Sequence, residues 1–335
     1  MTSFRKRALK RKETAGLQRT LTISVIIPTK NRPADLALAV KTLFEQTVLP
    51  LELIIIDQSA SDGSHRRIKQ MFSDAGLEIQ NRVRLRYVHD SSLPGLTWAR
   101  NRAMKIADGD IWLFLDDDVS LDQNFVAEIL AAYEQYPQYD GISGIVTNYR
   151  LPPLAYRSWS RIFFRGPFDD ERQSIYWNAP RLVGATPIVV DKLGGGLMSF
   201  RAQAVRGMRF DESLRGVCDG EDVDFCAQMK PGTLLAIAPA ARLVHNASPV
   251  GRSQEHWLER TTQANCYLFH RNWNTTLSNR VCYAWLMFGL GIVAVFASLR
   301  RLSLTPWNTF REAAREGLRL NGVNTQVFVS GKESL

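Results

Sequence analysis

Five consecutive apolar residues, Ile111-Trp112-Leu113-Phe114-Leu115, run directly into three aspartates, Asp116, Asp117 and Asp118. An unbroken apolar run of this length has the composition of a strand buried on both faces. A buried parallel strand delivers its next residues to the carboxyl edge of the sheet, where open α/β folds bind ligands. Alternate side chains share a face of an extended backbone, so Asp116 and Asp118 are expected to face one crevice with Asp117 turned away. Two carboxylates facing one crevice repel, and Mg²⁺ or Mn²⁺ held by oxygen ligands is the usual remedy. The plainer reading of the tripeptide is a solvated acidic turn, and the rest of the chain must decide between them.

The preceding residues alternate between strand and helix signals. Residues 22–27 form a β-branched strand that is expected to break at Pro28. Leu36, Val40, Leu43 and Phe44 then mark one face of a helix entered near Pro33. A second strand over 51–56 ends in Asp57 and a Ser/Asp/Gly loop, and a helix carrying Ile68, Met71, Phe72 and Ala75 follows. A strand over 83–88 and a helix over 96–107 complete the approach to the acidic run. This alternation indicates βαβ units, hence an α/β fold with a mixed, mainly parallel, Rossmann-like sheet flanked by helices. A helix over 125–133 and a strand over 141–147 come next. From 148 to 191 the pattern dissolves into Pro, Arg, Trp and Tyr, a stretch expected to be a functional flap. Its aromatics Tyr156, Trp159, Tyr176 and Trp177 either stack on sugar rings or rest on the core. Strand segments over 234–238 and 242–244 lead to His245, and a lone histidine at a strand end is more often structural than a ligand.

Charge divides the chain into parts. Of the net +9, residues 1–20 hold seven Lys/Arg against Glu13, and residues 256–335 hold nine against four acids. The body between is close to neutral, so a nucleic-acid partner, which calls for a basic footprint on the folded domain, is disfavoured. Basic ends around a neutral body suit an anionic membrane surface. The expected organisation is a basic disordered tail over 1–20, a catalytic domain over 21–255 and a helical, membrane-associated region over 256–335. Within that region residues 281–299 carry no charge, a length able to span a bilayer. The arginines around this segment favour its C-terminal side as cytoplasmic, which conflicts with a single crossing and a cytoplasmic catalytic domain. A re-entrant or in-plane helix, or a basic amphipathic helix over 306–320 lying on the surface, would resolve the conflict. Cys218, Cys226, Cys266 and Cys282 lack zinc-site spacing and fit a reducing compartment.

Seven motifs in order resemble the family-2 glycosyltransferases of the GT-A fold. They are Ser-Val-Ile-Ile-Pro-Thr-Lys-Asn-Arg (24–32), Ile-Asp-Gln-Ser-Ala-Ser-Asp-Gly-Ser (56–64), Ala-Arg-Asn-Arg (99–102) and the strand with its aspartates (109–119). Phe-Asp-Glu (210–212), Gly-Glu-Asp-Val-Asp (220–224) and Val-His (244–245) complete the set, which covers roughly residues 22–250. The resemblance implies an inverting, metal-dependent transferase that moves a single sugar from a nucleotide-diphosphate sugar to a hydroxyl acceptor. Its nucleotide-sugar site would draw on Pro28, Thr29, Asn31, Arg32, Asp57, Ser59, Asp62, Arg100, Asp116 and Asp117. The metal, Mg²⁺ or Mn²⁺, would be held by Asp118 with Asp116 and His245. Asp222, or less favourably Glu221, would be the base, and Gly195, Gly196 and Trp177 would meet the acceptor. The residue types suit this chemistry: a cation stabilises charge on a departing diphosphate, and a carboxylate takes the proton of the attacking hydroxyl. The plainer reading of Glu221 and Asp222 is an acidic helix start. The expected location is the cytoplasmic face of the plasma (inner) membrane, with a saccharide or lipid-linked acceptor. Two other readings stand beside this one: a haloacid-dehalogenase-like phosphatase with Asp116 as nucleophile, and a membrane-anchored sugar-binding protein without catalysis.

Overall fold

The computed structural model describes residues 20–214, 219–248 and 256–330. All of the expected basic tail except Thr20 lies outside them, as does Cys218. Strands β1 (Ile23–Thr29), β2 (Glu52–Asp57) and β3 (Arg84–His89) alternate with helices α1 (Pro33–Phe44), α2 (Gly63–Asp74) and α3 (Gly76–Arg82). Helix α4 (Leu96–Met104) then leads into β4 (Ile111–Leu115), the apolar run that precedes the three aspartates. These four strands pair in parallel in the order β3-β2-β1-β4, and β1 and β4 are buried throughout. Pro28 does not end β1 as expected. The β1–β4 ladder stops at Ile26↔Phe114, while β1 continues beside β2 to Thr29↔Asp57. Pro28 thus falls where the N–H that proline lacks is not required by β4. Beyond that point β1 and β4 no longer pair, and the aspartates follow.

The second half of the sheet is largely antiparallel. β5 (Val119–Leu121), α5 (Phe125–Gln135), β6 (Gly141–Val146), α6 (Leu154–Phe163), α7 (Glu171–Trp177) and β7 (Ile188–Val190) follow in sequence. β8 (Leu197–Arg201), α8 (Ala202–Val205), α9 (Glu221–Ala227) and β9 (Leu235–His245) complete the sheet region. The order β4-β8-β6-β9-β5 closes it, with β7 also on β9 and only β6 and β9 parallel. The two segments expected over 234–238 and 242–244 are one strand, whose register against β6 slips between Ser143 and Ile145, opposite Pro239. A bulge is where an interior strand tolerates proline.

Residues 148–191 are more ordered than their composition suggests, since α6, α7 and two single 3₁₀ turns occupy most of them. Beyond the sheet, α10 (Trp257–Leu268) runs through a π-helical turn (Phe269–Trp273) toward α11 (Leu277–Arg301) and α12 (Thr305–Ser330). The expected boundary at 255 is crossed by buried bonds. Arg271 pairs with Asp224 at 2.7 Å and with Asp211 at 3.1 Å, and the Tyr267 hydroxyl donates to Asp211 at 2.6 Å.

Candidate active site

The β4 aspartates part along the lines expected from the pleat. Asp117 is buried away from the other two, accepting from the Thr29 hydroxyl at 2.6 Å and from Arg32 at 3.0 Å. Burial pushes its carboxyl up to about 6, which the Thr29 and Arg32 bonds oppose. Asp116 and Asp118 meet at the imidazole of His245, whose Nε2 lies 3.1 Å from Asp118 Oδ1 and 3.6 Å from Asp116 Oδ2. β5 pairing with the end of β9 carries the histidine there, in the register Val119↔His245. Hydrogen bonding to Asp116 and Asp118 raises the His245 imidazole to about 9. Asp118 is 1% exposed and also accepts from the Ser248 N–H at 2.9 Å. One ligand atom from each of Asp116, Asp118 and His245 lies within 4.8 Å of the others. Two carboxylate oxygens and one imidazole nitrogen at that spacing form a donor set that fits a divalent cation such as Mn²⁺ or Mg²⁺.

The residues expected at a nucleotide lie at the carboxyl ends of β1 and β2. Asn31 adopts a left-handed conformation (φ 57°) and bonds across to the next loop, its N–H to Ser59 Oγ at 2.7 Å. Asn is among the few residues that tolerate this backbone. Asp57 is fully buried, taking the Tyr87 hydroxyl at 2.6 Å and the Ser59 N–H at 2.8 Å. Pro28 pairs with Ile56. Asp62 stands apart at the start of α2 and pairs with Arg66 on the surface.

A cavity of about 1090 Å³ opens on the other side of Asp116, lined by Arg100, Gly195, Gly196, Glu221, Asp222 and Trp177 among others. The glycines are required by close approach. A Cβ on Gly196 would lie 2.5 Å from Asp116 Oδ2, and one on Gly195 would lie 2.6 Å from Glu221 Oε1. Arg100, 1% exposed, donates to Glu221 at 2.9 Å and to the Gly195 carbonyl at 2.7 Å, so its guanidinium braces α9 against the glycine turn. Burial, and then the charge of Asp222, push the Glu221 carboxyl up to about 7. Asp222 lines the cavity, accepting from the Gly195 N–H at 2.8 Å and from Arg172 at 3.2 Å. Both acids line the cavity and both are ion-paired, Asp222 with Arg172 and the less exposed Glu221 with Arg100.

Arg172 was not foreseen from the sequence. It binds Asp170 through two nitrogens at 2.8 and 2.9 Å and reaches the Leu193 carbonyl as well as Asp222. The only local signal is Asp170 itself, the N-cap of α7, which accepts the Arg172 N–H at 3.2 Å. Trp177 lines the cavity, with the Arg157 guanidinium 5.5 Å from its ring centre.

Residues 24–189 match the family model described as "Glycosyl transferase family 2". Among curated proteins, the chain is 28% identical over 96 residues to UDP-Glc:alpha-D-GlcNAc-diphosphoundecaprenol beta-1,3-glucosyltransferase WfgD of Escherichia coli, covering 29% of this chain and 34% of that protein. It is 29% identical over 99 residues to the GalNAc(5)-diNAcBac-PP-undecaprenol beta-1,3-glucosyltransferase of Campylobacter jejuni, covering 30% of each. The chain spans less than half the length of the curated relatives it matches. Among solved structures, the fold is similar to mannosyltransferase PcManGT from Pyrobaculum calidifontis in complex with GDP-Man and Mn²⁺. The TM-score is 0.52 at 16% identity, over 96% of this chain and 91% of that one.

Proposed function

Because the chain belongs to glycosyl transferase family 2 through residues 24–189, we propose that it transfers a single sugar, with inversion, from a nucleotide-diphosphate sugar to a hydroxyl of a lipid-linked saccharide. The observation that carries this reading is the convergence, on either side of Asp116, of a carboxylate–carboxylate–imidazole set and a cavity walled by Asp222. A divalent cation on Asp116, Asp118 and His245 would supply charge to stabilise a departing diphosphate. Thr29 and Arg32 hold Asp117 in the floor beside that set. Asp222, oriented by Gly195 and Arg172, accepts the proton of the attacking hydroxyl as the new bond forms. A base across the cavity from the leaving group serves a single displacement, hence inversion. Asp116 lies against His245 and a glycine turn, which leaves the phosphatase reading without support.

The lipid-linked acceptor rests on the printed activities of the two curated relatives and on α11, a 25-residue helix of mean hydropathy 2.0 over its best window. We read this helix as lying in the membrane interface on the cytoplasmic face. Tyr283 stacks on Phe269 of the π-helical turn, Gly289 abuts Phe163 of α6, and Ser298 accepts the Trp307 N–H of α12. A crossing would draw those elements, with Arg161, Arg311 and Arg315, into hydrocarbon, where charged side chains and irregular backbone are costly. An amphipathic helix in the headgroup region avoids that cost.

The test is a thermal-shift panel of nucleoside diphosphates with Mn²⁺. Stabilisation that needs both components, and that is lost in Asp118→Asn, is expected. Stabilisation by nucleotide without any dependence on Mn²⁺ would reject the metal-dependent donor site.

A further inference from the structure

Most cations on the cavity wall are already spoken for. Arg100 pairs with Glu221, Arg172 with Asp170 and Asp222, and Arg260 with Asp219. Lys192 donates to the carbonyls of Pro167 and Asp169. Arg157, Arg161 and Arg181 also line the cavity, and among the described residues none of them has a carboxylate partner. Arg157 Nε is buried without a hydrogen-bond acceptor, and so is Trp177 Nε1, on the ring over which that guanidinium lies. Buried donors are almost always satisfied, and leaving one without an acceptor is costly. A ligand rich in acceptor oxygens repays that cost, and the guanidinium fork matches phosphate in particular.

Where these arginines sit narrows the ligand further. Arg157 and Arg161 are on α6, which is also the helix that meets α11. The Ile162 carbonyl accepts the Trp285 Nε1–H at 2.8 Å, and the Phe163 ring lies 5.1 Å from that of Trp285. Next to this contact α11 leaves Phe288 57% exposed, and further along the helix Phe296 68%. One helix therefore separates an anion-binding wall from an apolar surface. The carboxylate–imidazole set that serves the donor's diphosphate is built from other residues, Asp116, Asp118 and His245, of which Asp116 also lines this cavity.

Resting on the transferase reading above, we infer that Arg157, Arg161 and Arg181, with Trp177, bind the diphosphate of a polyprenyl-diphosphate-linked acceptor. Its hydrocarbon chain leaves over α6 toward α11. The chain thus selects its acceptor by the anchor and its charge as well as by the sugar that receives the bond.

The experiment uses the full chain in detergent and farnesyl diphosphate as the probe, measured by calorimetry without divalent cation so that chelation plays no part. Arg157→Ala, and separately the exposed Arg161→Ala, should each weaken farnesyl diphosphate about tenfold or more, the loss of one charge-assisted bond. Farnesol affinity should not change. Nucleoside diphosphate binding with Mn²⁺, measured in parallel, should match wild type in both variants. Variants that bind farnesyl diphosphate as wild type does would overturn the inference. Loss of nucleoside diphosphate affinity would also overturn it, by assigning these arginines to the donor. Inorganic pyrophosphate binding as tightly as farnesyl diphosphate would remove the lipid from it. Failure of the transferase reading registers elsewhere, as absence of Mn²⁺-dependent nucleotide binding in the wild type.

Discussion

Asp222→Asn and Glu221→Gln, made side by side, test the proposal that Asp222 rather than Glu221 is the base. Asp222 lines the cavity and has three donors, Gly195 N–H, Val223 N–H and Arg172. Asparagine keeps an acceptor for a backbone N–H but loses the charge that Arg172 meets. Arg172 retains both oxygens of Asp170, so the loss belongs at the low end for a charged bond, about 1.5 kcal/mol. For a chain of this size that lowers Tm by roughly 2 °C. The loss of a positioned base is larger in rate, on the order of 10²- to 10⁴-fold in kcat. Glu221 sits near 7 because of burial and the neighbouring Asp222 charge. Glutamine approximates the protonated form already well populated at neutral pH, and kcat should fall by less than about tenfold. The assay is acceptor-dependent release of nucleoside diphosphate, with Tm and nucleotide affinity measured on the same preparations. Asp222→Asn that retains turnover while Glu221→Gln loses it would refute the assignment and make the buried acid the base.

Three further outcomes follow from the same geometry. Gly196→Ala places a methyl 2.5 Å from Asp116 Oδ2; it should cost about 1–3 kcal/mol in urea melts and weaken Mn²⁺-dependent nucleotide binding, and unchanged metal dependence would show that Asp116 has room to move. Arg100→Met removes the cation that lowers the Glu221 pKa. A carboxyl raised from 4.5 to about 7 gives stability that is fully present below pH 4.5 and is lost as pH rises through 7. In the variant that loss reaches further, so its deficit against wild type should grow by up to about 1.4 kcal/mol from pH 5 to pH 8; a deficit independent of pH would argue against this brace. Replacing Phe288 and Phe296, both exposed on α11, with serine should leave Tm unchanged and reduce co-sedimentation with anionic vesicles about tenfold or more, since each ring is worth roughly 1.5–3 kcal/mol when buried.

The parts legible from sequence are those in which local pattern and burial agree. An apolar pentad ending in aspartates has the length and composition of an interior strand with its acids at the sheet edge, and period-two alternation separated Asp117 from its neighbours. The parts that were not legible depend on partners distant in the chain. Arg100 meets Glu221 across 121 positions and the Gly195 carbonyl across 95, so its motif marks the residue without revealing that its guanidinium is committed. Arg172 belongs to no motif, and its role exists only because α7 packs beside the turn at 193–195. Pro28 misleads for a related reason: a proline ends a strand only if a neighbour needs its N–H, and β4 has already diverged there.

The apolar stretch over 281–299 marks the limit of composition as a guide. Length and hydropathy are the same for a helix that crosses a bilayer, lies in its surface or fills a core, and only 28% of its most apolar window is buried within the fold, too little for a core helix. What separates the other two is the company the helix keeps. A spanning segment can be surrounded only by lipid or by other spanning segments, whereas α11 touches α6, the π-helical turn and α12, whose arginines would have to travel with it. A helix bound along its length to charged neighbours can leave water on one face only. On the interfacial reading proposed above, that face is the one turned to the membrane, and α6 carries both its contact with α11 and the cavity-lining Arg157 and Arg161.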